Sequence, residues 1–176
     1  MILINFTTPP EEKERLSKKW KMLYERCMAK RDDKCVTGFV DHCLQEKPPK
    51  ADVVGELLAY LKEQMVEMNK KRDKEMKGFL RWLGRLIGED IDNLTNKTEV
   101  RAYDELTFKE LFEILEKSGG KIKADLKDRE FQETLEMEFD RSLKILKPLK
   151  ARTKLTGDLI DKIVYKLYGL MDKEEK

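Results

Sequence analysis

The chain has 176 residues, of which 41% are charged and 40% hydrophobic, and its 37 basic and 35 acidic side chains leave a formal charge of only +2. A charge this close to balance excludes the whole chain as a generic polyanion binder and leaves only local patches for that role. Glycine and proline are few, whereas Leu, Lys, Glu and Met are plentiful. This composition is typical of an all-α protein with heavily solvated helix faces.

The sequence predicts a cytoplasmic protein. No apolar run approaches the roughly 20 residues that span a bilayer. Residues 1–6 lack the basic start and the length of a signal peptide. Three cysteines in a charged chain without a secretion signal are typical of a reducing compartment.

The first 50 residues predict two helices. Thr8, two prolines and two glutamates form a helix start, with the Thr8 hydroxyl as cap. The apolar stripe of this helix consists of Leu16, Trp20, Leu23, Tyr24, Cys27 and Met28. A second helix is expected over residues 35–45, and the prolines of 47–50 interrupt the chain. We therefore predict an N-terminal helical subdomain, 1–50, followed by a long-helix module, 51–176.

Residues 51–87 are the longest periodic stretch and predict one long helix that ends at Gly88. Apolar residues recur three and four apart along it, which is a heptad seam. The seam consists of Val54, Leu58, Leu61, Met65, Met68 and, farther along, Leu83. Arg72 falls on a seam position and is expected to be a gap or a register-setting residue. A stripe this narrow needs one or two helical partners, from this chain or from a second copy in a homodimer.

Three more helices are predicted after Gly88. Residues 107–110 form a capping box that opens a helix to about Lys117. Another helix starts at Asp128, and Pro148 is expected to kink or end it near residues 144–147. A last helix is expected over about 158–168, with Gly169 as its stop and Leu170 folding back against it.

Together these elements predict an all-α fold of long, coiled-coil-like helices packed as an elongated antiparallel helical bundle. We expect the 54–86 helix to lie antiparallel to the 128–147 helix. In this arrangement Leu58, Leu61, Met65 and Leu83 face the stripe of Phe131, Leu135, Phe139 and Leu146.

Four strings near the end of the chain carry a family resemblance. They are Asp161-Lys-Ile-Val-Tyr-Lys-Leu-Tyr-Gly-Leu170, Asp128-Arg-Glu-Phe-Gln-Glu-Thr-Leu135, Ser142-Leu-Lys-Ile-Leu-Lys-Pro-Leu149 and Leu94-Thr-Asn-Lys-Thr98. In order and spacing they resemble the C-terminal helical region of type IIG restriction–modification proteins, the adenine-N6 DNA methyltransferase family. The resemblance covers about residues 75–170. It implies a helical module beside a target-recognition part, with a methyltransferase or restriction subunit as partner.

The catalytic motifs of that family do not occur in this sequence. The glycine-bearing loop for the methyl donor is missing, and so is the Asn/Asp-Pro-Pro-aromatic motif that grips a flipped-out base. Residues 8–11 and 47–50 each contain two adjacent prolines, but neither has the Asn or Asp before them or the aromatic residue after them that this motif requires. The sequence has no phosphate-binding G-x-x-x-x-G-K-[ST] loop either. We therefore expect no catalysis and no cofactor.

One group of residues is a candidate metal site. Cys27, Cys35, His42 and Cys43 fall within a short span, and three cysteines with one histidine can hold structural zinc. No C-x₂₋₄-C pair occurs among them, and Cys27 lies on an apolar stripe. We expect small buried cysteines and a surface histidine, and no metal.

A basic stretch suggests contact with DNA. Between Asp140 and Asp158 the sequence has no acidic residue, but it has six basic ones: Arg141, Lys144, Lys147, Lys150, Arg152 and Lys154. Such a stripe can contact phosphates without reading the base sequence. A solvated face at the end of a helix is the simpler alternative.

Two functions follow from these patterns. The first is a non-catalytic accessory or remnant module of a restriction–modification system, which binds a methylase or nuclease subunit and the backbone of double-stranded DNA. The alternative is a coiled-coil protein that self-assembles through the seam and has no link to DNA.

Overall fold

The structure, a computed structural model, describes residues 7–169 and is all-α there, as the sequence predicts. Its helices are α1 (Pro10–Lys30), α2 (Lys34–Gln45), α3 (Ala51–Ile87), α4 (Lys97–Arg101), α5 (Phe108–Lys117) and α6 (Arg129–Tyr168). Two 3-10 turns, Ile91–Asn93 and Tyr103–Glu105, lie between α3 and α5. Within the described range there is no strand, and no helix is long and apolar enough to cross a membrane.

The chain divides into two compact units, and the borders between them fall inside α3 and inside α6. The first unit combines the described residues up to Met68 with those from Ala151 onward, and the second unit is Asn69–Lys150. This division differs from the predicted boundary at residue 50. The reason is that α1 and α2 share one hydrophobic cluster with Leu57 of α3 and Leu159 of α6.

The first helix begins differently from the prediction. Its stripe is buried as expected at Leu16, Trp20, Tyr24 and Cys27. Thr8, however, is not its cap. The Thr8 backbone N–H and hydroxyl donate to the two carboxylate oxygens of Asp52 in α3, each at 2.9 Å. Pro9 takes the cap position without a side-chain hydrogen bond, because the threonine is used in a tertiary contact.

The Asp52 carboxylate is a local anchor in the first unit. Besides the two bonds from Thr8, it lies 3.0 Å from the Lys13 ammonium. Partial burial works against ionisation of Asp52, but the hydrogen bonds from Thr8 and Lys13 outweigh it and hold the pKa of the carboxyl below its ordinary value. The charged form of Asp52 therefore ties residues 8–13 to the first turn of α3.

In the second unit α3 and α6 run antiparallel. The Ile87 carbonyl, at the end of α3, accepts a hydrogen bond of 3.0 Å from the Lys123 N–H, shortly before α6 begins. Phe79, two turns earlier in α3, meets Phe139 well inside α6, with ring centroids 6.3 Å apart. Tyr103 stacks on Phe79 at 4.1 Å. These rings form the centre of the second core.

The predicted pairing of the long helices is confirmed for one part of α3 only. Leu83 shares a cluster with all four predicted partners, Phe131, Leu135, Phe139 and Leu146. The prediction is wrong for Leu58 and Leu61, which pack in the first unit's cluster with Leu159.

The cause is that α6 does not end at Pro148. It runs from Arg129 to Tyr168, so no separate helix begins near residue 158. Proline lacks an N–H and leaves the carbonyl four residues earlier, that of Lys144, without its helical partner. Pro148 and Lys144 are both exposed, so water can satisfy that carbonyl. Leu146 is buried and holds the segment in helical conformation against the core.

Two helix ends follow the prediction. Gly88 has φ +71° directly after α3, and the Glu89 N–H donates to the Gly84 carbonyl at 3.2 Å. This is a C-terminal cap that requires a left-handed residue. Gly169 has φ +61° after α6. The contact predicted for Leu170 lies outside the described residues.

Candidate nucleic-acid interface

The six basic residues predicted to contact DNA all lie on α6, and three of them are paired within the chain. In the second unit, Arg141 lies 3.3 Å from the Glu138 carboxylate, one helical turn earlier. Lys150 forms an ion pair with Glu105 of the second 3-10 turn. Because a carboxylate of the chain already neutralises each of these two cations, they are poorer candidates for phosphate contacts.

Arg152, in the first unit, is held by two groups of α1. Its guanidinium lies 5.2 Å from the centroid of the Tyr24 ring and donates to Glu25 at 2.5 Å. This placement combines a cation–π contact with an ion pair, so we assign Arg152 to packing of the first unit. Lys154 is exposed and has no ion pair within residues 7–169.

Lys144 and Lys147 are the part of the predicted stripe that remains available in the second unit. Both side chains are exposed, and neither has an ion pair or a side-chain hydrogen bond in the described part of the chain. They lie on the side of α6 away from the buried Ser142 and Leu146. Exposed cations of this kind can neutralise phosphates and release their counterions.

The four candidate metal ligands do not form a metal centre in the described residues. Cys27 and Cys43 are completely buried, and burial raises the pKa of both thiols to about 11. A thiol must lose its proton to bind a metal. His42 is exposed with its Nε2 3.4 Å from Glu46, and Cys35 is half-buried and free. Within 7–169 no three His, Cys, Asp or Glu side chains are grouped to hold a metal ion.

The seam of α3 is largely covered by the chain's own helices. Four seam residues are buried and two are half-buried; in that order they are Val54, Leu61, Met68 and Leu83, then Leu58 and Met65. Val54 and Leu61 belong to the first core and Leu83 to the second. These side chains are therefore core residues and not an exposed seam.

Arg72, predicted as a gap in the seam or as a register-setting residue, forms an ion pair whose partner the sequence did not indicate. Its Nη2 lies 2.9 Å from Asp104 Oδ2, and the Asp104 side chain is only 3% exposed. A charge at an apolar position needs a partner of opposite sign. That rule predicts that a partner exists, but it does not indicate which acid it is, because Asp104 follows Arg72 by 32 positions.

A buried hydroxyl pair was also missed. The Tyr103 hydroxyl and Ser142 Oγ lie 2.7 Å apart, and both residues are buried. Burial raises the pKa of Tyr103 to about 12, although its hydrogen bond with Ser142 acts in the opposite direction. A neutral phenol enclosed in this way holds the core together and offers no group to a substrate. No short-range pattern connects these two residues.

Comparison with known proteins gives a family but no further relative. A family model described as Domain of unknown function (DUF8810) matches residues 55–164, from the first turns of α3 to near the end of α6. Neither the curated proteins nor the solved structures contain a match. Because the family model covers more than half of the chain, the protein belongs to the family Domain of unknown function (DUF8810).

Proposed function

We propose that the protein is a non-catalytic helical accessory module of a restriction–modification system, which binds a methylase or nuclease subunit and contacts the DNA backbone. The observation that carries the DNA contact is the pair Lys144 and Lys147, which are exposed on α6 and lack an ion pair in the described residues. The choice of system and of protein partner is supported by the resemblance of residues 75–170 to the C-terminal region of type IIG methyltransferases.

The expected contact is weak and independent of base sequence. Lysine ammonium groups on a helix face position a protein on a duplex through phosphates. Each phosphate neutralised lowers the logarithm of the binding constant by roughly 0.9 for each tenfold rise in salt. Two lysines therefore account for a slope of about 1.8, and affinity should be measurable only at low salt.

The test is duplex binding by the wild type and by Lys144→Glu/Lys147→Glu, measured by fluorescence anisotropy at low salt. Lys117→Glu/Lys127→Glu is the matched control, because it makes the same change in net charge on two other exposed lysines of the second unit. We expect the α6 variant to lose affinity and the control to keep it. Equal binding by the two variants would remove the α6 contact.

The protein partner is tested separately. A gene neighbourhood with a methyltransferase that lacks this C-terminal block would identify the candidate, and co-expression of the two chains followed by size-exclusion chromatography would show whether they form a complex. The alternative function, self-assembly through the seam, requires a dimer or larger oligomer in sedimentation velocity and no retention of DNA. The burial of Leu61 and Leu83 in the chain's own cores counts against it.

A further inference from the structure

The solvent side of α3 in the second unit has a row of four basic side chains, Lys74, Lys77, Arg81 and Arg85, which we call the basic ridge. All four are exposed. They are three, four and four residues apart, so at 3.6 residues per turn they lie within roughly 80° of one another around the helix. Phe79 lies on the other side of the same segment and is buried in the core.

The basic ridge forms no ion pair within residues 7–169. None of its four side chains takes part in an ion pair, a side-chain hydrogen bond or a ring contact in the described structure. Between Asn69 and Ile87 the only acids are Asp73 and Glu75. Asp73 lies one helical turn before Lys77, at a spacing that allows an ion pair, but the two side chains form none in the described structure.

Two acids beyond the end of α3 share a cleft with the ridge. An open cleft of about 470 Å³ beside Arg81 and Arg85 carries the carboxylates of Glu89 and Asp90. Glu89 accepts hydrogen bonds from Asn93 Nδ2 at 2.7 Å and from the Asp90 N–H at 3.0 Å. Neither acid lies within ion-pair distance of a ridge arginine.

A row of like charges has a cost. Equal charges three or four residues apart on a helix repel and destabilise it. Here the packing of Phe79 and Leu83 on the opposite side keeps the helix in place. The fold thus holds four cations in a line and leaves their neutralisation to a ligand outside the described chain.

We propose that the basic ridge binds the phosphate backbone of a nucleic-acid duplex. The ridge extends over roughly 16 Å at 1.5 Å per residue, and a duplex presents about one negative charge per 1.7 Å of its axis. A helix that binds an anionic membrane inserts aromatic or aliphatic side chains, whereas the apolar side of this helix is buried in the core. The inference rests on the proposed function in taking DNA as the duplex, but different residues carry it.

The test compares four proteins in one titration of a labelled, random-sequence DNA duplex at about 50 mM monovalent salt. They are the wild type, the ridge variant Lys77→Glu/Arg81→Glu, the α6 variant Lys144→Glu/Lys147→Glu and the control Lys117→Glu/Lys127→Glu. Losing two phosphate contacts should weaken binding by the ridge variant roughly 100-fold and reduce the salt slope by about 1.8. The melting temperature of the ridge variant should not fall, because positions 77 and 81 then attract Lys74 and Arg85, and within the ridge only the contact between the two substituted positions stays repulsive.

The outcomes separate the two proposals. Loss of binding by the ridge variant, with the α6 variant equal to the control, supports the ridge and removes the α6 contact. The reverse result overturns the ridge and leaves the α6 contact. No duplex binding by the wild type overturns both.

Further variants and a vesicle assay test the remaining explanations. If the ridge variant melts early, Lys77→Gln/Arg81→Gln replaces it, and unchanged affinity in that variant overturns the proposal. Arg81→Lys, which keeps the charge, should bind like the wild type. Sedimentation with phosphatidylserine vesicles gives the remaining alternative: ridge-dependent binding to vesicles but not to the duplex would assign the ridge to an anionic membrane and overturn the proposal.

Discussion

The buried hydroxyl pair of Tyr103 and Ser142 gives a quantitative test of how the second core is held. Tyr103→Phe removes one hydroxyl but keeps the ring that stacks on Phe79 at 4.1 Å. Ser142 Oγ then lies in apolar surroundings without the partner it had at 2.7 Å. Leaving a buried polar group unpaired costs about 1–3 kcal/mol, so the free energy of unfolding should fall by that amount.

The same loss is expected for Ser142→Ala, which leaves the phenol unpaired. The double variant removes both groups and leaves neither unsatisfied. Its loss should therefore be smaller than the sum of the single losses, with a coupling of roughly 1 kcal/mol.

Urea denaturation followed by circular dichroism measures all four proteins. Tyr165→Phe is the matched control, because this tyrosine is 50% exposed and its hydroxyl is in reach of water. The control should change the free energy of unfolding by less than about 0.5 kcal/mol. Strictly additive losses in Tyr103→Phe and Ser142→Ala would refute the reasoning, because they would show that the two hydroxyls do not depend on each other.

Alkaline pH gives an independent reading of the same pair. The pKa of Tyr103 is about 12 in the folded protein, compared with about 10 in an unfolded chain. The folded state therefore holds the phenolic proton more tightly. The resulting stabilisation is fully present below pH 10 and is lost as the pH rises toward 12. The difference in stability between the wild type and Tyr103→Phe should narrow over that range.

Three other changes test the fold. Gly88→Ala should lower the free energy of unfolding by about 1–3 kcal/mol, because φ is +71° there and a side chain in this conformation is strained. Gly55→Ala has nothing within 4 Å of the added carbon and should instead stabilise α3 by up to about 1 kcal/mol. Urea denaturation midpoints compare the two variants. Leu61→Ala should cost about 2–5 kcal/mol because the side chain is fully buried, and an unchanged midpoint would show that the first core does not depend on it. The lowered pKa of Asp52 contributes stability that is fully present above about pH 3.9 and is lost as the pH falls through that pKa. Asp52→Asn should lack this contribution. Curves of unfolding free energy against acidic pH that stay parallel for the two proteins would contradict this.

The elements with local signals could be predicted from the sequence. The capping box at Thr107 is one example: its hydroxyl accepts from the Glu110 N–H at 3.3 Å, and the Glu110 carboxylate accepts from the Thr107 N–H at 2.7 Å. Both partners lie within one turn of a helix, so spacing alone identifies them. The end of α3 at Gly88 is local in the same way.

The break predicted at Pro148 shows where local reasoning fails. Proline in a helix costs about 3 kcal/mol when the segment stands alone. Here Leu143 and Leu146 are buried on the opposite side, and such packing stabilises the helix by a comparable amount. The predicted break shortened α6 and assigned Leu61 to the wrong partner, because the part of α6 that packs on it was taken for a separate helix.

Charge shows the same limit more sharply, because a cation is available to a ligand only where no carboxylate of the fold reaches it. The stretch after Asp140 has no acid in sequence, yet Lys150 meets an acid 45 residues away, and Arg152 meets one 127 residues away. An acid-free run is therefore not an acid-free surface. The converse holds for α3, where Asp73 and Glu75 interrupt the basic residues in sequence and so hide the ridge from a search for acid-free runs. Neither acid forms an ion pair with the ridge in the described structure, and the spacing of three, four and four follows once α3 is known to be a helix. Angular position around the predicted helix groups the four ridge residues on one side without the structure. That Lys77 does not pair with Asp73, and that Lys150 and Arg152 are paired, required the tertiary fold.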